Sequence, residues 1–376
     1  MSETVDYYKI SEKGKLEYLN NNEIVEKLIL NNEEKTNLKI AYILKWVVVN
    51  GGTKVIFEHS NNLSKRGHKI YLVCHDSAPT WYNLDENIEY IQVPENEILC
   101  KYIPQDVDLI VCASNIYISE AIEQKIAPVI YFEQGSHHLF NRGEVEPEKL
   151  DFIAKQFSVC NNIYTVSEYA KKKILEIYNK DSFIVPNAVN KKVFYSSPEE
   201  KQKEKLVIST IGPEDWEFKG LKYVLDAIKE LEKTYDFDFY WISPRPTETQ
   251  LGNIIINPEQ SVIGDVLRKT DIFISASAFE SFGLPVLEAM TSGAAVVCTD
   301  AGGNMEFSVD GETCLIVNKR DSEDIVNKVK MLIENEALRE KLSKEALKMA
   351  EKYDYNKNCD KLEEYFKSIA KYSVEK

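Results

Sequence analysis

Residues 276–290, ASAFESFGLPVLEAM, hold the side chains whose types and spacing best suit chemistry. An apolar strand is expected to end near Ser275, leaving Glu280, Ser281, Phe282 and Gly283 in a loop. Pro285 then falls in the first turn of a helix, where proline is tolerated. The loop amides and the helix N-terminus carry partial positive charge, which suits a diphosphate. Glu280 and Glu288 flank that position, one on each side. Carboxylates do not bind phosphate, but they accept paired hydrogen bonds from the vicinal hydroxyls of a ribose or a hexose. Read locally, Glu288 serves equally as a helix-dipole carboxylate and Glu280 as a surface loop residue. The stretch alone leaves both readings open.

The surrounding pattern supplies elements that could position such a loop. An apolar run at 38–44 is followed by Gly51-Gly52 in a loop. A helical period then runs through Val55, Ile56, His59 and Leu63, closes at Arg66-Gly67, and leads to a second run at 69–74. Strand, glycine loop, helix and strand make a βαβ unit and imply a parallel sheet. Further apolar runs at 88–93, 108–112, 128–132, 162–166 and 182–185 extend it. A second series follows at 206–211, 237–242, 253–256, 271–275, 294–298 and 314–317. The predicted fold is α/β, with two Rossmann-like doubly wound domains facing across a crevice at the carboxyl ends of their strands. Residues 1–35 read as a helical extension, 36–190 as the first domain and 191–355 as the second. A C-terminal helix within 356–376 is expected to complete the first domain. Gly51 and Gly52 would let the backbone approach a ligand closely; a simple turn is the alternative.

Bulk properties narrow the function further. A chain of 376 residues with 44% hydrophobic and 11% aromatic content is globular and long enough for two domains. Its net charge of -15 argues against nucleic-acid binding. The Lys171, Lys172, Lys173 run reads as a solvated helix face. The seven cysteines form no CxxC pair, so no zinc ribbon is expected, and a reducing compartment is. A polar, acidic N-terminus and the lack of an apolar run near ~20 residues imply a cytoplasmic protein with at most peripheral membrane contact. The letters Asp236-Phe-Asp238 lead into a strand and do not read as a metal-binding donor loop.

Residues 280–290, with the spacing E-x7-E in ESFGLPVLEAM, resemble the donor-site signature of the retaining glycosyltransferases of family 4, which have the two-domain GT-B fold. Ser281 stands where the family usually has glycine. Asp271, Gly293, Gly302-Gly303, Glu306 and Gly311 fit the same pattern. The resemblance is specific over 265–317, and weaker but collinear over 38–370. It implies transfer of a hexosyl or related group from a nucleotide-diphosphate sugar, foremost a UDP-sugar, with retention at the anomeric carbon. It implies no metal and no cofactor. The acceptor (glycan, lipid-linked, protein or small molecule) is not specified.

By the same resemblance Glu280 contacts the donor sugar, and Ser281, Phe282, Gly283 and Leu284 contact the diphosphate. Glu288 holds the ribose, and Gly51 and Gly52 close over diphosphate and acceptor. The family's basic pair, G-R-x5-K-G, appears here as Gly212-Pro213 followed by Lys219-Gly220. Lys219 would offset charge on the departing diphosphate. Pro213 occupies the arginine position, with Arg245 and Arg268 as stand-ins. Where relatives often have a histidine after the strand at 128–132, this chain has Glu133-Gln134, with His137 within a turn. Glu133 and His137 are thereby implied at the reacting sugar. Asn187, after Pro186, resembles a structural hinge. The departures keep two alternatives in view: a non-catalytic nucleotide-sugar-binding partner, and a sugar-nucleotide epimerase.

Overall fold

The computed structural model describes residues 11–31, 34–48, 50–135, 137–201 and 204–375. The chain divides into two compact units, Met1–Val185 with Asn356–Lys376, and Pro186–Tyr355. The first division therefore lies at Val185–Pro186, a few residues before the expected 190–191.

In the first unit a short strand, β1 (Leu28–Leu30), precedes a seven-stranded sheet. That sheet comprises β2 (Lys39–Ile43), β3 (Lys69–Cys74), β4 (Glu89–Gln92), β5 (Leu109–Cys112), β6 (Val129–Glu133), β7 (Asn162–Thr165) and β8 (Phe183–Ile184). Their order is β4-β3-β2-β5-β6-β7-β8, and every pairing is parallel. The central strands are buried along almost their whole length. Such continuous burial is why they read as unbroken apolar runs, not as alternating ones.

The N-terminal segment expected to be helical is so only in part. Residues 1–10 and 32–33 of that expectation lie outside the described residues. The remainder is one helix, Glu12–Asn21, followed by β1, which pairs antiparallel with the terminal strand Tyr372–Val374. Leu19 and Ile24 join the first unit's core. Lys15 makes a buried 2.7 Å ion pair with Glu120 and donates to Ile116 O at 3.0 Å. A buried charge is tolerated when it is paired and hydrogen-bonded, as here. Helix Tyr355–Ile369 also packs into this unit: Arg66 pairs with Asp360 at 2.6 Å, and Tyr365 stacks on Phe183 at 4.7 Å.

The second unit carries β9 (Leu206–Ile211), β10 (Phe237–Ser243), β11 (Asn253–Ile256), β12 (Ile272–Ser275), β13 (Ala295–Thr299) and β14 (Leu315–Val317). They form a parallel sheet of order β11-β10-β9-β12-β13-β14. The order runs outward in both directions from β9 and β12. That reversal is a topological switch point, where ligands of such sheets bind at the carboxyl ends. Among the described residues no helix is long and apolar enough to cross a membrane. All seven cysteines are buried and unpaired.

Two buried groups of the first unit predict a masked pH dependence. Burial pushes Glu26 up to about 7, against hydrogen bonds from Val129 N–H and Asn161 that pull it down. Burial pushes His59 down to about 4. Glu26 takes up its proton more readily when folded, so its contribution to stability falls as pH rises from about 4.5 to 7. His59 is more readily protonated when unfolded, so its contribution falls as pH drops from 6.5 to about 4. The slopes oppose each other where the windows overlap. Glu26→Gln removes the first. It should stabilise the protein above neutrality by up to about 3 kcal/mol. It should also steepen the loss of stability on acidification below pH 6.5. Denaturant midpoints across this range check both; parallel curves for wild type and variant would contradict the assignment.

Candidate functional site

Each unit brings together part of the expected site. In the second unit the key loop joins β12 to helix Leu284–Thr291. A second loop, after β9, is pressed onto it. Gly220 makes this possible: it has φ +66°, and a Cβ there would meet Ala276 O at 2.2 Å. Ala278 N–H donates to Phe218 O at 2.6 Å, tying the loops together. As a result Lys219 Nζ reaches Glu280 Oε1 at 2.6 Å, and Ser277 Oγ donates to the same oxygen at 2.8 Å. Lysine and carboxylate are both mostly buried, 18% and 16% exposed, so solvent screens their interaction only in part.

The backbone of Glu280 is fixed from the other side. Its N–H donates to Ala301 O at 2.7 Å, and its C=O accepts from Gly303 N–H at 2.9 Å. Gly303 lies so close to Ser281 that a Cβ would meet Ser281 O at 2.1 Å. Helix Leu284–Thr291 begins with Gly283 as N-cap and Pro285 in its first turn. The Leu284 N–H, at the first helical position, has no acceptor within the helix. Phe282 is 1% exposed and packs edge-on against Phe307 and Tyr353, so only its backbone is available to a ligand. Glu288 lies one turn into the helix and is 7% exposed. Lys219, Glu280, the amides of 281–284 and Glu288 thus share one edge of the sheet. This arrangement offers a cation and helix-end amides to a diphosphate, and carboxylates to hydroxyls.

The two candidate arginines separate cleanly. Arg268 ends helix Gln260–Lys269, which leads into the amino end of β12, away from the loop. It is occupied by Glu200 (3.0 Å), Val193 O (2.9 Å) and Asp265. Arg245 instead follows β10, whose Ile242 O accepts from Gly212 N–H at 3.0 Å, so it emerges beside Pro213. Its guanidinium pairs with Asp215 at 2.8 Å and lies 5.0 Å from the Trp216 ring centre. Trp216 stacks on Phe218, and Phe218 on Phe279. Arg268 is a structural residue; Arg245 belongs to the loop edge.

In the first unit a cavity of about 640 Å³ is lined by residues that include Gly52, Asn50, Trp46, Glu133, Gln134, His137 and His138. Gly51 and Gly52 are not in a loop: they are the first residues of helix Gly51–Lys65. Asn50 caps it, accepting from Thr53 N–H at 2.7 Å. That cap is a short-range signal in the sequence, and asparagine is among the preferred N-cap residues. Glu133 is 2% exposed with both oxygens engaged. Oε1 accepts from Gly135 N–H at 2.6 Å; Oε2 accepts from Tyr131 OH at 2.7 Å and lies 3.0 Å from His138 Nε2. Burial pushes its carboxyl up, but His138, Tyr131 and the Gly135 amide outweigh it and hold it below the usual range.

The histidine that meets Glu133 is therefore His138, not His137. His138 is 2% exposed and its Nδ1 lies 2.8 Å from Tyr178 OH. The His137 side chain is 44% exposed and lies 3.5 Å from Glu144. A surface reading of the pair fails for His138. Adjacent positions on a four-residue helix diverge in direction, and the sequence carries no signal for which one turns inward. Among the described residues no group of three or more His, Cys, Asp or Glu is arranged to hold a metal ion.

Residues 205–335 match the family described as glycosyl transferases, group 1. An uncharacterized glycosyltransferase of Methanocaldococcus jannaschii is 26% identical over 208 residues, 52% of this chain and 56% of that protein. The phosphatidyl-myo-inositol mannosyltransferase of Mycobacterium leprae is 25% identical over 218 residues, 54% of this chain and 58% of that protein. The matched stretches thus span little more than half the length of these curated relatives. The solved structure of Anabaena HepE in complex with UDP-glucose superposes with a TM-score of 0.76 at 15% identity, covering 88% of this chain and 100% of that one. The fold is that of the GT-B glycosyltransferases. The family match lies within the second unit.

Proposed function

We propose that the protein is a retaining glycosyltransferase of family 4, moving a hexosyl or related group from a nucleotide-diphosphate sugar to a hydroxyl acceptor. The observation that carries this reading is the Lys219–Glu280 pair, 2.6 Å apart, at the loop that opens helix Leu284–Thr291. Lys219 and the amides of Ser281, Phe282, Gly283 and Leu284 stabilise charge developing on the departing diphosphate, a preorganised electrostatic role. No metal ion is needed for that step. Glu280 orients the donor sugar and Glu288 takes the ribose hydroxyls. The UDP-glucose complex of HepE supports a UDP-sugar as the first donor to test. The first unit, with Gly51, Gly52, Glu133 and His137 at or beside its cavity, receives the acceptor. Glu133 acts there as a positioning residue, because its oxygens are already taken. Seven buried, unpaired cysteines support work in the cytoplasm.

Donor hydrolysis by the full chain tests the reading without an acceptor. In EDTA, with UDP-glucose, proton NMR should show the released glucose appearing first as the same anomer as in the donor. Release as the opposite anomer contradicts retention. An epimerised nucleotide sugar points to the epimerase alternative, and binding without any turnover to the non-catalytic one.

The arginine question has its own expected outcome. Arg245→Ala should raise the donor KM about tenfold, the scale of one charge-assisted hydrogen bond. Arg268→Ala should lower thermal stability and leave KM unchanged. Steady-state kinetics with the same donor decide; the reverse pattern would remove Arg245 from the donor edge.

A further inference from the structure

The first unit's cavity has a wall that the transferase reading does not use. Helix Glu12–Asn21 places Glu12 at the cavity, where it pairs with Lys45 at 3.3 Å. Lys45 Nζ in turn lies 4.6 Å from the ring centre of Trp46, whose indole is half exposed along the same lining. The buried Lys15–Glu120 pair at 2.7 Å anchors this helix one turn further on, and Ile116, whose carbonyl accepts from Lys15, also lines the cavity. The wall is thus built into the unit. Of the charged side chains lining the cavity, four are carboxylates (Glu12, Glu133, Glu144, Glu146) and two are lysines (Lys45, Lys149). Of the lysines, Lys45 is already paired.

We infer that this cavity takes a neutral saccharide as acceptor and disfavours a phosphorylated one. A cavity of about 640 Å³ is of ligand-binding size. The exposed indole offers a flat apolar face to the C–H face of a sugar ring. Carboxylates and amides accept and donate to ring hydroxyls with charge-assisted strength. A phosphate ester would bring negative charge into a cavity where carboxylates outnumber lysines, a repulsion that discriminates against the wrong partner. The inference rests on the transferase reading for its purpose, not for its test, since acceptor binding is read without donor.

Calorimetric titration of the full chain with maltose, cellobiose and N,N′-diacetylchitobiose, and with glucose 6-phosphate and maltose 1-phosphate, tests it. At least one neutral disaccharide should bind saturably, and about tenfold or more tighter than either phosphate, a difference of about 1.4 kcal/mol. Trp46→Ala should weaken it about tenfold, and Trp46→Phe should restore most of the loss, since a phenyl ring keeps the apolar face. Glu12→Gln should narrow the gap between neutral and phosphorylated sugars. Equal or tighter binding of a phosphate, no neutral sugar bound, or an unchanged affinity in Trp46→Ala overturns the inference. If nucleotide binding persists in the same preparations, only the acceptor assignment fails; if both are lost, the transferase reading fails with it.

Discussion

Lys219→Ala is expected to lower turnover by about 10²–10³-fold, the loss seen when one preorganised stabiliser of developing charge is removed. Affinity for the nucleoside diphosphate should fall much less. Lys219 is held on a loop that Gly220 allows to lie against the end of β12, and its ammonium sits 2.6 Å from Glu280 in a mostly buried position. With Pro213 in the position where the resembled family has arginine, the proposed reaction relies on Lys219 for its cation. Glu280→Ala should also cut turnover more than nucleotide affinity. Because the two side chains touch, their effects should be non-additive, and the double variant should be little worse than the poorer single one. Full additivity would show that they do not act as a unit.

The second large effect is on binding. Glu288→Ala should weaken nucleoside diphosphate binding about 10–100-fold, the range for hydrogen bonds to a charged group. Glu288 is 7% exposed within helix Leu284–Thr291, so a ligand hydroxyl that reaches it is largely removed from water. The ribose assignment is tested by a cycle of two proteins and two ligands. Wild type should prefer UDP over 2′,3′-dideoxy-UDP, and Glu288→Ala should not. An equal preference in both proteins would leave Glu288 without a ribose role.

What the sequence revealed follows from the range of the interactions involved. The central strands of both sheets are buried on two faces, so each contains a run of apolar residues, such as IAYIL at 40–44, legible without any partner. The candidate donor loop stands out for a similar reason: its glycine, proline and two carboxylates fall within eleven consecutive residues, 280–290. Features set by distant partners were not. Lys15 reads as one lysine in a polar segment until Glu120, far along the chain, closes on it at 2.7 Å. Pairing of β1 with Tyr372–Val374 joins opposite ends of the chain. Gly51-Gly52 read as a loop because glycine disfavours helix, yet the Asn50 cap and the packing of Val55, Ile56 and Phe57 prevailed. Choosing His138 over His137, and finding Trp46 on the cavity wall, required the tertiary structure.

The central claim is that the second unit holds the diphosphate of a nucleotide donor at the Glu280–Leu284 loop without metal. The most direct measurement is calorimetric titration of the full chain with UDP and with UMP in EDTA, repeated with GDP and ADP to cover the base. One saturable site is expected, with the diphosphate bound about tenfold or more tighter than the monophosphate, since the second phosphate adds charge-assisted contacts. No saturable binding of any diphosphate, or equal affinity for UDP and UMP, would contradict it.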